Sequence, residues 1–305
     1  MPVTAFGVDL ITFFHPGFWG VDTEDDIRRI GCTAPERIWA TVMDALVAAG
    51  VSAVEVTFAP ADVETAIRAF GSAAAFRDEL SARGLRLVSG FWQPDDWAAP
   101  ADQLADEAAA HAALLADAGA TALVLGLPMR ATTDAVPPRF VDLWAADQLA
   151  DRVHHIGAAT RQLGVVTAMH TEAHSVFCQP RDIDLLLMLT DPNYVGFCPD
   201  SAHITLSGGD PVAVATRHRE RIAISHWKDA AGPMSTDVVI DASIHERHRE
   251  FMRPLGAGTV DWPAWADVMG SSRGGDLALL ELDACADPVA ELRSAITHLR
   301  ALGVA

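Results

Sequence analysis

Val165-Val166-Thr167-Ala168-Met169 runs into His170-Thr171-Glu172-Ala173-His174; Tyr194-Val195-Gly196-Phe197-Cys198 runs into Pro199-Asp200-Ser201-Ala202-His203; Arg221-Ile222-Ala223-Ile224-Ser225 runs into His226-Trp227-Lys228-Asp229. Each is a short apolar run of strand character that ends abruptly in acids and imidazoles, and each is followed by a helical pattern. A fourth run, Leu277-Ala278-Leu279-Leu280, ends in Glu281-Leu282-Asp283. Parallel strands that all carry metal-competent residues at their C-terminal ends describe one shared site at one end of a barrel.

Upstream, the same alternation continues. A first strand is expected over 5–14, followed by a Gly/Trp-rich loop over 17–20, and further strands over 52–58, 85–91 and 120–127. Helical spacing fills the intervals. Thr33-Ala34-Pro35-Glu36 reads as a capping box with proline in the first turn of a helix that Gly50 ends. Helical pattern also covers 60–83, with a break near Gly71, then 101–118, and then 140–163 after a proline-bearing loop to Pro138. Eight strand–helix units without hairpin signals predict a parallel α/β sheet closed into a single (β/α)8 TIM barrel over 1–305. There is no G-x-G-x-x-G turn, no P-loop and no nucleophile-elbow serine. One connection is too long for a plain loop. Its composition, over about 230–258, predicts a partly helical, lid-like insertion that carries His245 and His248.

The chain length of 305 residues suits one large barrel, which needs about 250 residues, and a hydrophobic fraction of 50% supplies its core. A net charge of −19 repels phosphate backbones and anionic lipid, so neither nucleic acid nor membrane is expected as a partner. Cys32, Cys178, Cys198 and Cys285 lack metal or redox spacing and are too few for a disulfide framework. With no basic leader and no apolar run near the ~20 residues of a membrane span, the expected location is the cytoplasm.

Glu172, Asp200, His226 and Glu281 offer three carboxylates and one imidazole without thiolate. Such a set suits one divalent ion, Mn²⁺ foremost, with Co²⁺, Mg²⁺ or Zn²⁺ as alternatives. Any one of these residues alone reads as a solvated loop acid or a hydrogen-bonded histidine; four separate strand ends carrying such groups do not. Period-two alternation aims both His170 and Glu172 at the mouth, and likewise His226 and Lys228. Glu172 is assigned to the ion, which leaves His170 to contact either the substrate or the residues that hold the ion. His203 is a candidate proton carrier. Lys228 and Asp229 have a plain alternative as a local ion pair, and Glu55 either reaches the mouth or pairs with an arginine at the barrel bottom. Cys198 reads as packing one layer below the site. Phe14, Trp19 and Trp92 are candidates for an apolar wall at the rim, and Arg253 for an anionic substrate group.

The set His170-Thr171-Glu172, Asp200-Ser201-Ala202-His203, His226-Trp227-Lys228-Asp229, Pro254-Leu255-Gly256-Ala257-Gly258-Thr259-Val260-Asp261 and Glu281-Leu282-Asp283 resembles the sugar phosphate isomerase/epimerase group of xylose-isomerase-like TIM barrels. Within that group it is similar to the branch of inosose dehydratases and ketose 3-epimerases. The resemblance implies one divalent metal on Glu172, Asp200, His226 and Glu281. It also implies that His203 and Lys228 contact substrate. The candidate catalytic residues are Glu172, Glu281, His203 and Lys228, and the candidate substrate contacts are His170, His174, Trp92 and Arg253. The implied activity is isomerisation, epimerisation or dehydration of a keto-sugar or cyclitol through an enediolate. An alternative is the metal-bearing subunit of a β-eliminating lyase on 3-keto-glycosides, of the C-glycoside deglycosidase type. A phosphodiesterase of the apurinic endonuclease type is disfavoured by the charge of −19. Homo-oligomerisation or a second subunit is also expected from the resemblance.

Overall fold

The computed structural model describes residues 3–130 and 141–304. Eight parallel strands form the sheet: β1 (Ala5–Asp9), β2 (Ala53–Val56), β3 (Arg86–Trp92), β4 (Ala122–Leu125), β5 (Val166–His170), β6 (Val195–Cys198), β7 (His226–Trp227) and β10 (Leu277–Leu280). A two-stranded antiparallel ribbon, β8 (Asp229–Ala230) with β9 (Met252–Arg253), lies between β7 and β10 in sequence. Spatial order is β6-β5-β4-β3-β2-β1-β10-β7, and the free edges of β6 and β7 meet through parallel bridges at Phe197–Ile222 and Asp200–His226. The sheet therefore curls back on itself, as the (β/α)8 expectation required.

Alternation along the strands sorts the apolar residues into two cores. One face points inward, where Ala53, Val124, Ala168, Cys198, Ile224 and Leu279 pack inside the barrel. The other packs outward on the helices, with Val54, Val56, Leu123, Leu125, Met169 and Phe197 among its buried members. Cys198 occupies the inner layer beneath the mouth as expected, and burial pushes its thiol up to about 11. Among the described residues no helix is long and apolar enough to cross a membrane.

Several boundaries differ from expectation, each for a local reason. The first strand stops at Asp9, whose carboxylate accepts from the Ile11 amide at 2.6 Å and starts a 3-10 turn over Leu10–Phe13. The capping box lies at Thr23 and Asp26, opening an unforeseen helix Glu24–Thr33. Thr33 closes that helix, with its hydroxyl donating to the Arg29 carbonyl at 2.9 Å, and Pro35 starts the next one, Pro35–Ala49, without a side-chain cap. The pattern over 60–83 is two helices, Val63–Phe70 and Ala73–Ala82, divided at Gly71 as read. The seventh strand is regular only at His226–Trp227, because the chain before it makes single bonds, Ala223 N to Phe197 O and Gly274 N to Ile222 O. Phe14 and Trp19 form no rim wall; both are buried in the outer core, where the Trp19 indole donates to the Phe13 carbonyl. Pro138 and Phe140 lie outside the described residues, and the helix after them runs over Leu143–Arg161.

Candidate metal centre at the barrel mouth

Four strand ends deliver one donor each. β5 ends in His170 and β7 opens with His226; Asp200 follows β6 as the N-cap of the helix Ser201–Leu206; Glu281 follows β10, its amide bonded to the Trp227 carbonyl. Ligand-competent atoms of these four residues all lie within 4.8 Å of one another. His170 Nε2 is 3.8 Å from Asp200 Oδ2, and His226 Nδ1 is 2.8 Å from Glu281 Oε2 and 4.0 Å from Asp200 Oδ2. Asp200 divides its oxygens, with Oδ1 accepting from the His203 amide at 2.8 Å and Oδ2 facing the cluster.

Both ring nitrogens of His170, Oδ2 of Asp200 and Nδ1 of His226 are buried and have no hydrogen-bond partner among the described residues. Buried polar atoms are ordinarily paired, because leaving one bare costs about 1–3 kcal/mol. Several bare atoms converging on one point fit a cation between them, and two imidazoles with two carboxylates are donors that Mn²⁺, Co²⁺ or Zn²⁺ accept.

Glu55 supplies the orienting partner. Its Oε1 accepts from His226 Nε2 at 2.9 Å and its Oε2 from the Ser89 hydroxyl at 2.5 Å, so the His226 ring donates through Nε2 and presents Nδ1 to Asp200 and Glu281. Burial opposes charge on this imidazole, but Cys198 and Glu55 outweigh it and raise the ring well above its ordinary value; a cation on Nδ1 would take the place of its second proton. Glu55 thus reaches the mouth cluster, buried behind His226, rather than pairing with an arginine at the barrel bottom. Beside it, burial and then the Glu55 charge push the Asp9 carboxyl well above its ordinary range.

Glu172 is not in the four-residue group. β5 ends at His170, so the alternation that would aim residue 172 the same way has already stopped, and Glu172 turns toward the long excursion over 231–251. There its Oε1 lies 3.6 Å from His245 Nδ1 and 3.3 Å from His248 Nδ1, while Oε2 lies 3.3 Å from His203 Nε2. The Ala173 amide donates to His203 Nδ1 at 3.2 Å, which places the ring proton on Nε2, pointing at Glu172. Burial, with Lys228 near, brings the His203 imidazole down to about 3. Burial alone would raise Glu172, but the imidazoles of His203 and then His245 hold it well below its usual range.

Lys228 lies at the mouth, its ammonium 2.6 Å from Glu281 Oε1 and 2.8 Å from Asp283 Oδ1. Burial opposes that charge, yet Asp283 and Glu281 outweigh it and keep Lys228 well above its ordinary value. Asp229 does not pair with Lys228. It accepts instead from the amides of Gly256, Gly258 and Val260 at 2.8, 3.1 and 3.3 Å and from the Trp262 indole at 3.0 Å.

The remaining candidates lie apart from the cluster. His174 stacks on His248; Trp92 stacks on His111 at the end of β3; Arg253 is exposed, its guanidinium turned onto the Glu250 and Met252 carbonyls. The aromatic beside the cluster is Phe91, edge-on to His170 at 5.6 Å and backed by Phe58. Sequence reasoning gave no role to Asp283, although it stands two residues past Glu281 on a recognised strand end, nor to Phe91.

The inosose dehydratase of Lacticaseibacillus casei is 24% identical over 271 residues, covering 83% of this chain and 84% of the relative. The crystal structure of the probable 3-DHS dehydratase AsbF from Bacillus anthracis gives a TM-score of 0.67 at 14% identity, over 97% of this chain and 99% of that one. The IOLI protein, solved with a zinc atom, gives 0.67 at 12% identity over 99% and 97%. At those identities the structural likenesses show the fold. The family model of the xylose isomerase-like TIM barrel matches residues 43–302, and the chain belongs to that family.

Proposed function

We propose that the chain is a divalent-metal-dependent isomerase, epimerase or dehydratase acting on a keto-sugar or cyclitol, with the ion held by His170, Asp200, His226 and Glu281. The observation that carries this reading is the convergence of four buried donors, three of which keep an unpartnered atom turned inward. His170 replaces Glu172 in the ligand set because it is the residue that β5 aims at the cluster. When bound, a divalent ion at this point polarises a carbonyl and tempers negative charge on its oxygen.

The other residues divide the proton work. Glu172, ionised and partly open at 18% side-chain exposure, is the base that takes a proton from the carbon beside a carbonyl. The His203 Nε2–H steadies it. Lys228 stays an ammonium and offsets charge as it develops on substrate oxygens, which is enediolate-type chemistry. Asp283, whose carboxyl burial pushes up, is the acid that returns a proton or protonates a departing hydroxyl. Return to the opposite face is epimerisation, return to the neighbouring carbon is isomerisation, and loss of a β-hydroxyl is dehydration. The inosose dehydratase relatives support a cyclitol as substrate.

The test is a panel of free ketoses, inososes, 3-keto-glycosides and sugar phosphates, incubated in D₂O with protein stripped by chelator and reloaded with Mn²⁺, Co²⁺ or Zn²⁺. Solvent deuterium should enter the product, or water should be lost, on a ketose or inosose. Asp200→Asn and His170→Ala should weaken retention of the ion by about tenfold or more. Absence of exchange and of elimination with every ion, or unchanged metal content in both variants, would refute the reading.

A further inference from the structure

We propose that the chain holds a second divalent-cation site, of the zinc type, formed by Glu172 at the end of β5 with His245 and His248 from the excursion over 231–251, and that this ion fastens the excursion to the barrel mouth.

Glu172 and the two histidines bring one donor atom each within 4.8 Å of the others. His245 and His248 are three residues apart on the short helix Ile244–Arg249, so both side chains leave the same face. Their nearest nitrogens approach Glu172 Oε1 at 3.6 and 3.3 Å. A second observation points at a ligand. His248 is 1% exposed, and its Nδ1, together with Glu172 Oε1, is buried without a hydrogen-bond partner among the described residues.

The hydrogen-bond chain behind His248 explains why that nitrogen is bare. The Ser235 carbonyl only accepts, so His174 Nε2, 3.0 Å away, carries the proton that it donates. The neutral His174 ring then has a free Nδ1, which accepts from His248 Nε2 at 3.0 Å. His248 Nδ1 is left with a lone pair turned on the Glu172 carboxylate, and two acceptors face one another across the gap. A cation there satisfies both. A histidine whose far N–H is tied to an acceptor is also how metal-ligating imidazoles are held in one tautomer. His174 adopts a left-handed backbone conformation, φ 63°, to reach this position. Two imidazoles and one carboxylate leave an open coordination position, the donor pattern of Zn²⁺, Co²⁺ or Fe²⁺ sites.

The site is separate from the four-residue centre in its histidines and does not depend on the reading given for that centre. Its ion uses Oε1 of Glu172, while Oε2 stays turned to His203 and the mouth. Closing the excursion therefore assembles the site, and filling the site holds the excursion closed.

Chelator-stripped protein is titrated with Co²⁺ and followed by its visible absorption and by elemental analysis, in parallel with His245→Ala, His245→Ala/His248→Ala and Asp200→Asn. The His245 side chain is 59% exposed, so its truncation leaves the fold intact, which circular dichroism checks. The histidine variants should each bind one equivalent fewer than the parent, and Zn²⁺ should slow proteolytic cleavage within 231–251 in the parent but not in them. Equal Co²⁺ stoichiometry and spectra in parent and histidine variants would overturn the proposal. A loss confined to Asp200→Asn would leave the four-residue centre standing and sink the second site; a loss confined to the histidine variants would do the reverse.

Discussion

Asp229 is a buried carboxylate whose hydrogen-bond partners are neutral donors, the neighbouring Ala230 amide and, from one turn of chain, the amides of Gly256, Gly258 and Val260 and the Trp262 indole. Asp229→Ala strands several buried donors together, so it should lower unfolding stability by about 3 kcal/mol, read as a shift in the urea midpoint. Glu55 acts on the site through His226. Glu55→Gln replaces the accepting oxygen by an amide that can present a donor to Nε2, which frees the ring to put its proton on Nδ1; metal affinity should fall by about 10- to 100-fold while circular dichroism is unchanged. Unaltered affinity would show that Glu55 does not orient His226 toward an ion. The placement of Asp200, His226 and Glu281 was legible because each stands just past an apolar run, where the barrel forces strand ends to converge. Glu55 was not, since a lone acid within a strand has the same pattern whether it serves the mouth or the bottom. Glu172 was misplaced by extending strand alternation past its last residue.

Elements are positioned here by their first residues as much as by their apolar faces. The Thr23 hydroxyl accepts from the Asp26 amide at 3.2 Å, and the Asp26 carboxylate accepts from the Thr23 amide at 3.1 Å, a closed pair of caps at the start of Glu24–Thr33. Thr23→Ala should cost about 1 kcal/mol, measurable as a lower Tm. That helix matters beyond its own stability, because Glu24 receives Arg249 from the excursion at 3.0 Å. Its sequence begins with three acids, which reads as a solvated loop unless the cap is recognised first. At the other end of the excursion, a Cβ on Gly258 would meet Asp229 Oδ1 at 2.1 Å and the Ala230 carbonyl at 2.5 Å, and Gly256 sits at φ +91°. Gly258→Ala should therefore destabilise the ribbon base by about 2 kcal/mol, with increased proteolysis inside 231–251 as the local readout. The glycines of Pro254-Leu255-Gly256-Ala257-Gly258 were readable as a sharp return. The carboxylate they wrap around was not, because it lies far back in sequence on the strand they return to.

At the scale of the whole molecule, the closed barrel collects charge that the rest of the fold keeps apart. Asp9, Glu55, Asp200, Glu281 and Asp283 are brought to one end, where Lys228 is the ammonium that pairs directly with two of them. Within a net charge of −19 such a cluster is a standing cost to the folded state, met in part by holding Asp9 and Asp283 above the ordinary carboxylate range. The sign of the pH effect follows. A carboxyl raised in the folded state binds its proton more tightly than in the unfolded chain, so its stabilising contribution is complete below the unfolded value near 4 and is lost as pH rises through the raised one. In chelator-stripped protein this loss opposes the gain from His203, which burial brings down to about 3 and which therefore favours the folded state more as pH rises toward the ordinary histidine value. The share of Asp9 and Asp283 should therefore appear as a Tm that rises toward neutral pH in an Asp9→Asn/Asp283→Asn variant more than in the parent. Adding Mn²⁺ or Zn²⁺ supplies the missing positive charge to the folded state alone, and at about 100-fold over its dissociation constant should restore about 2.7 kcal/mol. Restoration should be largest at neutral pH, where the carboxylates are ionised and protons no longer compete for the donors. Thermal melts at several pH values, with and without ion, decide the matter: a Tm that is indifferent to chelator across the whole range would mean that the gathered acids are balanced by the protein's own groups and require no cation.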